Sequence, residues 1–445
     1  MFVNEDGQIT RFSEDRADLT KAQRLPGRAI LPGLVNAHSH AFQRLIRGRT
    51  EHRTTAQRDT FWTWRQSMYC AANLVSPETL HCAARMAYLE MLLGGVTTVG
   101  EFHYIHHGPG GVPYENRNLM ALQLLQAARK TGLRIALLRT AYVRGGHGKP
   151  ADPAQARFLT PEVEDFIADT EVLRTDVQTV CEPGRGWVGV APHSVRAVPL
   201  HYLGEVVRYA RVNAMPVHMH VAEQLAEVAE CVEEHSLPPV AFLHEHGLLD
   251  GLFTGIHAIH VTDQEIDYLA AASATVCACP ITERNLGDGT APADRWLRAG
   301  VRFCLGSDSN VQIDLLEDAR SLEYDLRTKL LERVILARDS SPDALAKRLF
   351  TSATEIGAQS LGAPCGKLEV GRPADFFTVD LNNPSIAGAT EESLLSHIVF
   401  SMERSAIRDV CIGGKFVVRD GRHALGEEIV EEFAAAQRNL WGTQQ

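Results

Sequence analysis

Ala29-Ile30-Leu31-Pro32-Gly33-Leu34-Val35-Asn36-Ala37-His38-Ser39-His40 is the stretch on which the reading of this chain turns. An apolar, β-favouring run ends in two histidines two positions apart. Side chains at i and i+2 of a strand share a face, so both rings reach toward one point. Neutral imidazole suits zinc and several other divalent transition metals. With 19 histidines in the chain, one such pair is weak evidence, and its surroundings decide its meaning.

Outward from this segment, apolar runs alternate with amphipathic stretches. Strands are expected at Ile30–Ala37, Val96–Phe102, Arg134–Thr140, Gly186–Ala191, Pro216–Val221, Thr254–His260, Ala274–Cys279 and Val301–Gly306. Helical periodicity lies between them, as in Pro77–Leu93, Glu115–Thr131, Leu200–Asn213 and Gln224–His235. Eight nearly continuous apolar strands alternating with helices predict an α/β fold, a (β/α)8 TIM-like barrel. The connections Leu45–Ser76 and Gly145–Pro183 read as excursions over the active-site end. Phe2–Arg28 and Gly366–Gly426 are different in kind, with short β-like pieces punctuated by glycine and proline, and Glu427–Trp441 looks helical. The expected organisation is 1–28 as the N-terminal part of a small β domain, 29–365 as the barrel, and 366–445 as the C-terminal part of the small domain with a terminal helix.

Composition narrows the function. The chain has 445 residues, 45% of them hydrophobic and 22% charged, which allows a large core. A net charge of -11 argues against nucleic acid or an anionic membrane as partner, while leaving room for a local arginine pocket. No apolar run is long enough to span a bilayer, and the start Met1-Phe2-Val3-Asn4-Glu5-Asp6-Gly7 lacks the basic and apolar regions of a signal peptide. The nine cysteines form no CxxC pair and read as reduced, mostly buried thiols, so a cytoplasmic protein is expected.

Barrel enzymes work at the C-terminal ends of their strands. Here those ends carry His38 and His40, then Glu101, His103 and Tyr104, then His193 with Arg196 beyond it. His218, His220 and Glu223 follow, then His257 and His260, then Gly306-Ser307-Asp308-Ser309-Asn310. Spacing alone does not choose between His218 and His220, which share a strand face. Glu223 opens a helix, where a carboxylate commonly complements the N-terminal dipole. His103, His106 and His107 have mixed spacing in a Gly-Pro setting and read as loop histidines. His244-Glu245-His246 reads as a solvated helix end, and Trp62 with Trp64 as packing.

The ordered set resembles the amidohydrolase superfamily nearly end to end. It is carried by Pro32 to His40, His218-Met219-His220-Val221-Ala222-Glu223, Ile256-His257-Ala258-Ile259-His260, Gly306-Ser307-Asp308 and the tail Gly366 to Asp375. Within the superfamily the likeness is to formimidoylglutamate deiminases, through His40-Ala41-Phe42-Gln43-Arg44, Phe61-Trp62-Thr63-Trp64-Arg65, Glu101-Phe102-His103-Tyr104 and Pro192-His193-Ser194-Val195-Arg196.

That resemblance implies one divalent metal ion, zinc, held by His38, His40, His220 and Asp308, with a position left for water. It assigns the ligand to His220, not His218, because Glu223 follows three residues later. Gly186 to His193 contains no lysine of the kind that bridges two metals in binuclear relatives, which favours a mononuclear site. The resemblance further implies Glu223, His257 and Asp308 as catalytic groups, His257 preceding His260 in the family's pattern. Gln43, Arg65, Tyr104, His193 and Arg196 would bind substrate. Arginine's planar donor fork fits carboxylates, and the implied substrate, a small dicarboxylate amidine, has two. The implied reaction is hydrolytic deimination of N-formimidoyl-L-glutamate to N-formyl-L-glutamate and ammonia, in histidine degradation, by a homodimer. The alternative is a purine, pyrimidine or nucleoside deaminase with the same metal, glutamate and histidine machinery; a third is a non-catalytic barrel scaffold, which could dispense with the metal residues.

Overall fold

The computed structural model describes residues 1–20 and 22–442. Among the described residues eight parallel strands form one sheet: β1 (Leu34–Ser39), β2 (Val96–His103), β3 (Arg134–Ala141), β4 (Gly186–Pro192), β5 (Val217–Val221), β6 (Phe253–His257), β7 (Thr275–Ala278) and β8 (Arg302–Leu305). Each pairs with its neighbour in chain order. The ring closes where Asp308, just past β8, meets β1. The Asp308 amide donates to the His38 carbonyl and the His40 amide to the Asp308 carbonyl, both at 3.0 Å. Strands β1, β2 and β3 are buried along their whole length, which is why they read as unbroken apolar runs.

The first expected strand is two strands. Arg28–Pro32 pairs antiparallel with Phe376–Asp380, and only Leu34–Ser39 enters the barrel. The chain changes sheets at Gly33, where a Cβ would stand 2.2 Å from the Thr97 Oγ1, so only glycine passes. Arg28–Pro32 is the edge of a five-stranded antiparallel sheet continued by Phe376–Asp380, Ile407–Ile412, Lys415–Arg419 and Arg422–His423. The small domain therefore draws on both ends of the chain. Phe2–Val3 and Ile9–Arg11 form a separate two-stranded piece, tied on by the Ile9 amide to the Arg372 carbonyl at 2.8 Å. Barrel and small sheet are joined by Arg134, whose guanidinium grips Asp375 through Nε at 2.5 Å and a second nitrogen at 3.0 Å.

The helix Pro77–Leu93 has the expected bounds. Ser76 caps it by accepting from the Thr79 amide, and Pro77 occupies the first turn, where no amide is needed. Leu119–Thr131 begins four residues later than expected, because Arg117 and Asn118 are drawn to Asp169 instead of into the helix. Gly145–Pro183 is not one excursion. Val163–Val180 within it is the ordinary helix between β3 and β4, burying Phe166, Thr170, Leu173 and Val177. Only the stretch before it, with the 3-10 turn Pro153–Phe158, reaches over the barrel mouth. Among the described residues no helix is long and apolar enough to cross a membrane.

Candidate active site

Barrel closure assembles the metal-ligating group. One ligand atom each from His38, His40, His220 and Asp308 lies within 4.8 Å of the others, and all four residues are buried. His38 Nε2 is 3.2 Å and His40 Nε2 3.4 Å from Asp308 Oδ1. Beneath them Asn36 locks the seam, accepting from the Ser307 amide at 3.0 Å and donating to the Ser307 hydroxyl at 2.7 Å. Asn310 completes the lock with bonds to the Ser39 hydroxyl and the His40 carbonyl.

The donor set fits a divalent cation. His40 Nδ1 lies 2.9 Å from the Phe102 carbonyl and His220 Nδ1 3.2 Å from the His193 carbonyl. A carbonyl only accepts, so each Nδ1 carries the hydrogen and each Nε2 keeps a free lone pair. His38 is 0% exposed, yet neither of its ring nitrogens has a hydrogen-bond partner. Burial pushes the His38 ring down to about 3 and holds His40 and His220 below the usual imidazole range, so all three are neutral ligands. Burial opposes ionisation of Asp308, but His38, His257 and His40 overcome it and hold its carboxyl well below the carboxylate range.

Glu223 and His257 stand beside this group. His257 Nε2 is 3.8 Å from both Glu223 Oε1 and Asp308 Oδ2, and its Nδ1 is 3.2 Å from Glu283 Oε1. Burial alone would lower the His257 pKa; Glu223, Glu283 and Asp308 outweigh it and push the ring up to about 10. Burial drives Glu223 well above the usual carboxylate range, against the pull of His257. His257 and Ala258 have φ of 71° and 46°, which ends β6 three residues before the expected His260 and aims the His257 ring inward.

These groups floor a cleft at the barrel mouth. Gln43, Arg65, Tyr104, His193 and Arg196 all line it, together with His40, His220, Glu223, His257 and Asp308. Arg65, on the helix Phe61–Leu74, lies over the Trp62 ring, its carbon 4.4 Å from the centroid, and its buried Nε and one terminal nitrogen have no partner. Arg196 is anchored through one nitrogen to the Gly145 carbonyl at 2.8 Å. Gln43 donates to the Tyr104 hydroxyl at 3.1 Å and keeps a buried, unpartnered Oε1. Two cations and a set of amide and phenol groups thus face the metal-ligating cluster across a short gap.

Most histidines outside the group have ordinary partners; His103, buried at the end of β2 with an unpartnered Nε2, does not. His218 lies deeper in the barrel, its Nε2 donating to the Ser360 carbonyl at 2.9 Å. His260 Nε2 donates to the Asp288 carbonyl at 2.9 Å. His106 and His107 hold the Thr140 and Leu159 carbonyls and belong to no metal-ligating group. Trp62 and Trp64, expected as packing, line the cleft. Sequence reading passed over Glu283, although it lies just past β7, where the barrel rule looks for reactive groups. It also missed Cys279, which sits within reach of His257 and Asp308, and the cleft residues Tyr69 and Tyr142, which look like core aromatics in sequence.

Comparison with known proteins agrees with this geometry. Formimidoylglutamate deiminase of Pseudomonas aeruginosa is 38% identical over 427 residues, covering 96% of this chain and 92% of that protein. A 5-methylthioadenosine/S-adenosylhomocysteine deaminase of Natronomonas pharaonis is 29% identical, covering 94% and 87%. The crystal structure of an amidohydrolase from Brucella melitensis superimposes with a TM-score of 0.86 at 36% identity, covering 92% of this chain and 89% of that one. The profile described as "Amidohydrolase family" matches residues 29–417, from the last small-sheet strand before the barrel to the far side of the same sheet. With a closed barrel, a buried three-histidine and aspartate group at its mouth, and similarity along the whole chain, the protein belongs to the amidohydrolase family.

Proposed function

We propose that this chain is a metal-dependent hydrolase that converts N-formimidoyl-L-glutamate to N-formyl-L-glutamate and ammonia. The observation that carries the reading is the pair Arg65 and Arg196 in the same cleft as the metal-ligating cluster, the first with buried, unpartnered guanidinium nitrogens. A substrate with two carboxylates meets two cations and places a short amidine over the histidines. The 38% identical relative bears the name of this activity, which supports the same assignment.

His38, His40, His220 and Asp308 would hold one divalent ion, zinc by the preference of three imidazoles and a carboxylate, and it would bring the pKa of water down to about 7–9 and polarise the amidine. The chain's own groups do the rest. Arg65, Arg196, Tyr104, His193 and Gln43 hold the carboxylates and so fix the position of the formimidoyl carbon. Water's oxygen bonds to that carbon while one of its protons passes to a carboxylate, Asp308 or Glu223. Glu223 delivers that proton to the terminal nitrogen; the remaining proton of the new hydroxyl passes to the same nitrogen by way of Glu223 or Asp308 as the C–N bond breaks, the carbonyl forms and ammonia leaves. The His257 ring, oriented by Glu283 through Nδ1, would turn its Nε2 toward the oxygen on which negative charge develops. A homodimer in the cytoplasm is the setting proposed with this activity.

Purified, zinc-loaded protein should release ammonia from N-formimidoyl-L-glutamate. Absence of release, with turnover of 5′-methylthioadenosine or guanine instead, overturns the substrate assignment and favours the ring-deaminase reading.

A further inference from the structure

The 3-10 turn Pro153–Phe158 carries a device that the catalytic groups do not explain. Gln155 is 1% exposed and lies behind the cleft, not in it. Its Oε1 accepts the Asp152 amide at 2.8 Å, one half of a capping box whose other half is the Asp152 carboxylate. An amide N–H only donates, so this bond fixes which end of the Gln155 carboxamide is oxygen. Its Nε2 must then face the other way. There it meets two phenols, Tyr69 at 2.9 Å and Tyr142 at 2.8 Å, and gives one hydrogen to each.

The consequence follows from counting protons. Each phenol oxygen already accepts from Gln155, so neither O–H can point back at it. Both phenols line the cleft with Arg65 and Arg196. Among the described residues neither phenol donates to a protein acceptor. Two donor hydrogens are therefore left directed at the cleft.

We propose that Gln155 is a positioning residue: by donating to Tyr69 and Tyr142 together it turns both phenol O–H groups into the cleft, where with Arg65 and Arg196 they form a four-donor seat for a substrate carboxylate. The inference rests on the reading of the cleft as a dicarboxylate site and adds what sets its polarity. Donors converging on one place favour an anion over a neutral ring edge that needs acceptors as well, while Glu227, which also lines the cleft, balances part of the Arg196 charge. The turn is itself held in place. Arg157 Nε donates to the His107 carbonyl at 2.8 Å, and Asn73 donates to the Ala154 carbonyl at 2.8 Å. The two phenols are thus set by a rigid frame independent of the metal-ligating residues.

Gln155→Glu tests this at constant shape. The carboxylate still accepts the Asp152 amide, but it also accepts from the phenols and so turns their hydrogens away from the cleft. Calorimetry with glutarate should show binding weakened about tenfold for each phenol withdrawn. The KM for N-formimidoyl-L-glutamate should rise in parallel while kcat stays within about threefold, a split that general loosening of the fold would not give. Tyr69→Phe and Tyr142→Phe should each weaken glutarate binding in the native background and have no further effect in the Gln155→Glu background. Wild-type affinity in Gln155→Glu, or losses that multiply across the double variants, overturns the proposal. If Gln155→Glu does not fold, the phenylalanine variants decide, since they leave the capping box intact; unchanged glutarate affinity in both overturns it. Glutarate binding without ammonia release by the wild type would reject the proposed reaction and leave this inference standing, whereas a wild type that binds no dicarboxylate rejects the inference as well.

Discussion

Gly306→Ala should damage the metal-ligating group without replacing any ligand. Gly306 lies between the end of β8 and Asp308, against β1. A Cβ there would stand 2.7 Å from His38 Cβ, 2.9 Å from the His38 carbonyl oxygen and 3.0 Å from the His38 nitrogen. Ordinary contact is about 3.5–4.0 Å, so the strands must part by about 1 Å. The bonds at risk are those that close the barrel, Asp308 amide to His38 carbonyl and His40 amide to Asp308 carbonyl, each 3.0 Å long. Lengthened by that amount they cease to be hydrogen bonds. Overpacking of this kind costs about 1–3 kcal/mol. For a chain of 445 residues that is a fall of about 1–3 °C in thermal midpoint. The larger effect is on geometry: displacing Asp308 from His38 and His40 should weaken zinc binding about 10–100-fold in competition with a chromophoric chelator. Gly204→Ala is the control, because that helical position has nothing within 4 Å. Zinc affinity within about twofold of wild type in Gly306→Ala, with an unchanged midpoint, would refute the claim that the closure sets the site.

Arg65→Met keeps the stem over Trp62 and removes the unpartnered donors; kcat/KM for N-formimidoyl-L-glutamate should fall about 10–150-fold, and a loss under about threefold would remove Arg65 from the carboxylate seat. Glu223→Gln should lower kcat about 10²–10⁴-fold with glutarate affinity little changed, and equal losses in both would make Glu223 a binding group instead. Glu101, raised to about 8 by burial against the opposing Ala41 amide, is protonated in the fold but ionised in the unfolded chain above about 4.5. Its contribution to stability therefore falls as pH rises from about 4.5 to about 8, so in metal-free protein Glu101→Gln should gain thermal midpoint over wild type across that window; a difference independent of pH would refute the assignment. Stripping the metal with a chelator should lower the midpoint and zinc should restore it, by about 4 kcal/mol of stability at a thousandfold excess over Kd, and equal midpoints would refute the His38, His40, His220 and Asp308 cluster as a resident site.

The barrel is legible in sequence because its strands are covered on both faces and so appear as short, unbroken apolar runs between amphipathic helices. Legibility fails where a change of direction leaves composition unchanged. Ile30 to Ala37 is apolar but for Asn36, yet Gly33 divides it between two sheets, and the reason, the Thr97 side chain across the ladder, is 64 positions away. Thr254 to His260 reads as one strand, and only the positive φ of His257 and Ala258 ends it early. Val163–Val180 carries Phe166, Thr170, Leu173 and Val177 at helical spacing, a pattern that the reading of Gly145–Pro183 as one excursion does not use. At the site, the metal-ligating residues stand out because paired histidines after apolar strands are rare in combination. Glu283, Gln155 and Asn36 act on other residues through single hydrogen bonds, and no spacing rule marks such partners.

The seam between β1 and β8 makes stability and chemistry the same problem. Asn36 and Ser307, 271 positions apart, pair at the same seam that brings Asp308 to His38 and His40. That contact buries three neutral rings and a carboxylate together, with neither His38 nitrogen in a hydrogen bond. Burying such groups is unfavourable unless something compensates it. A cation does, and it can do so only after closure, because its ligands come from β1, β5 and the turn after β8. The position of Glu283 follows: it holds His257 Nδ1 from outside the ligand set, so the orientation of the ring does not depend on the cation. Binding the ion and completing the barrel are then one equilibrium, while the acid–base pair of Glu223 and His257 is set separately from the second half of the barrel.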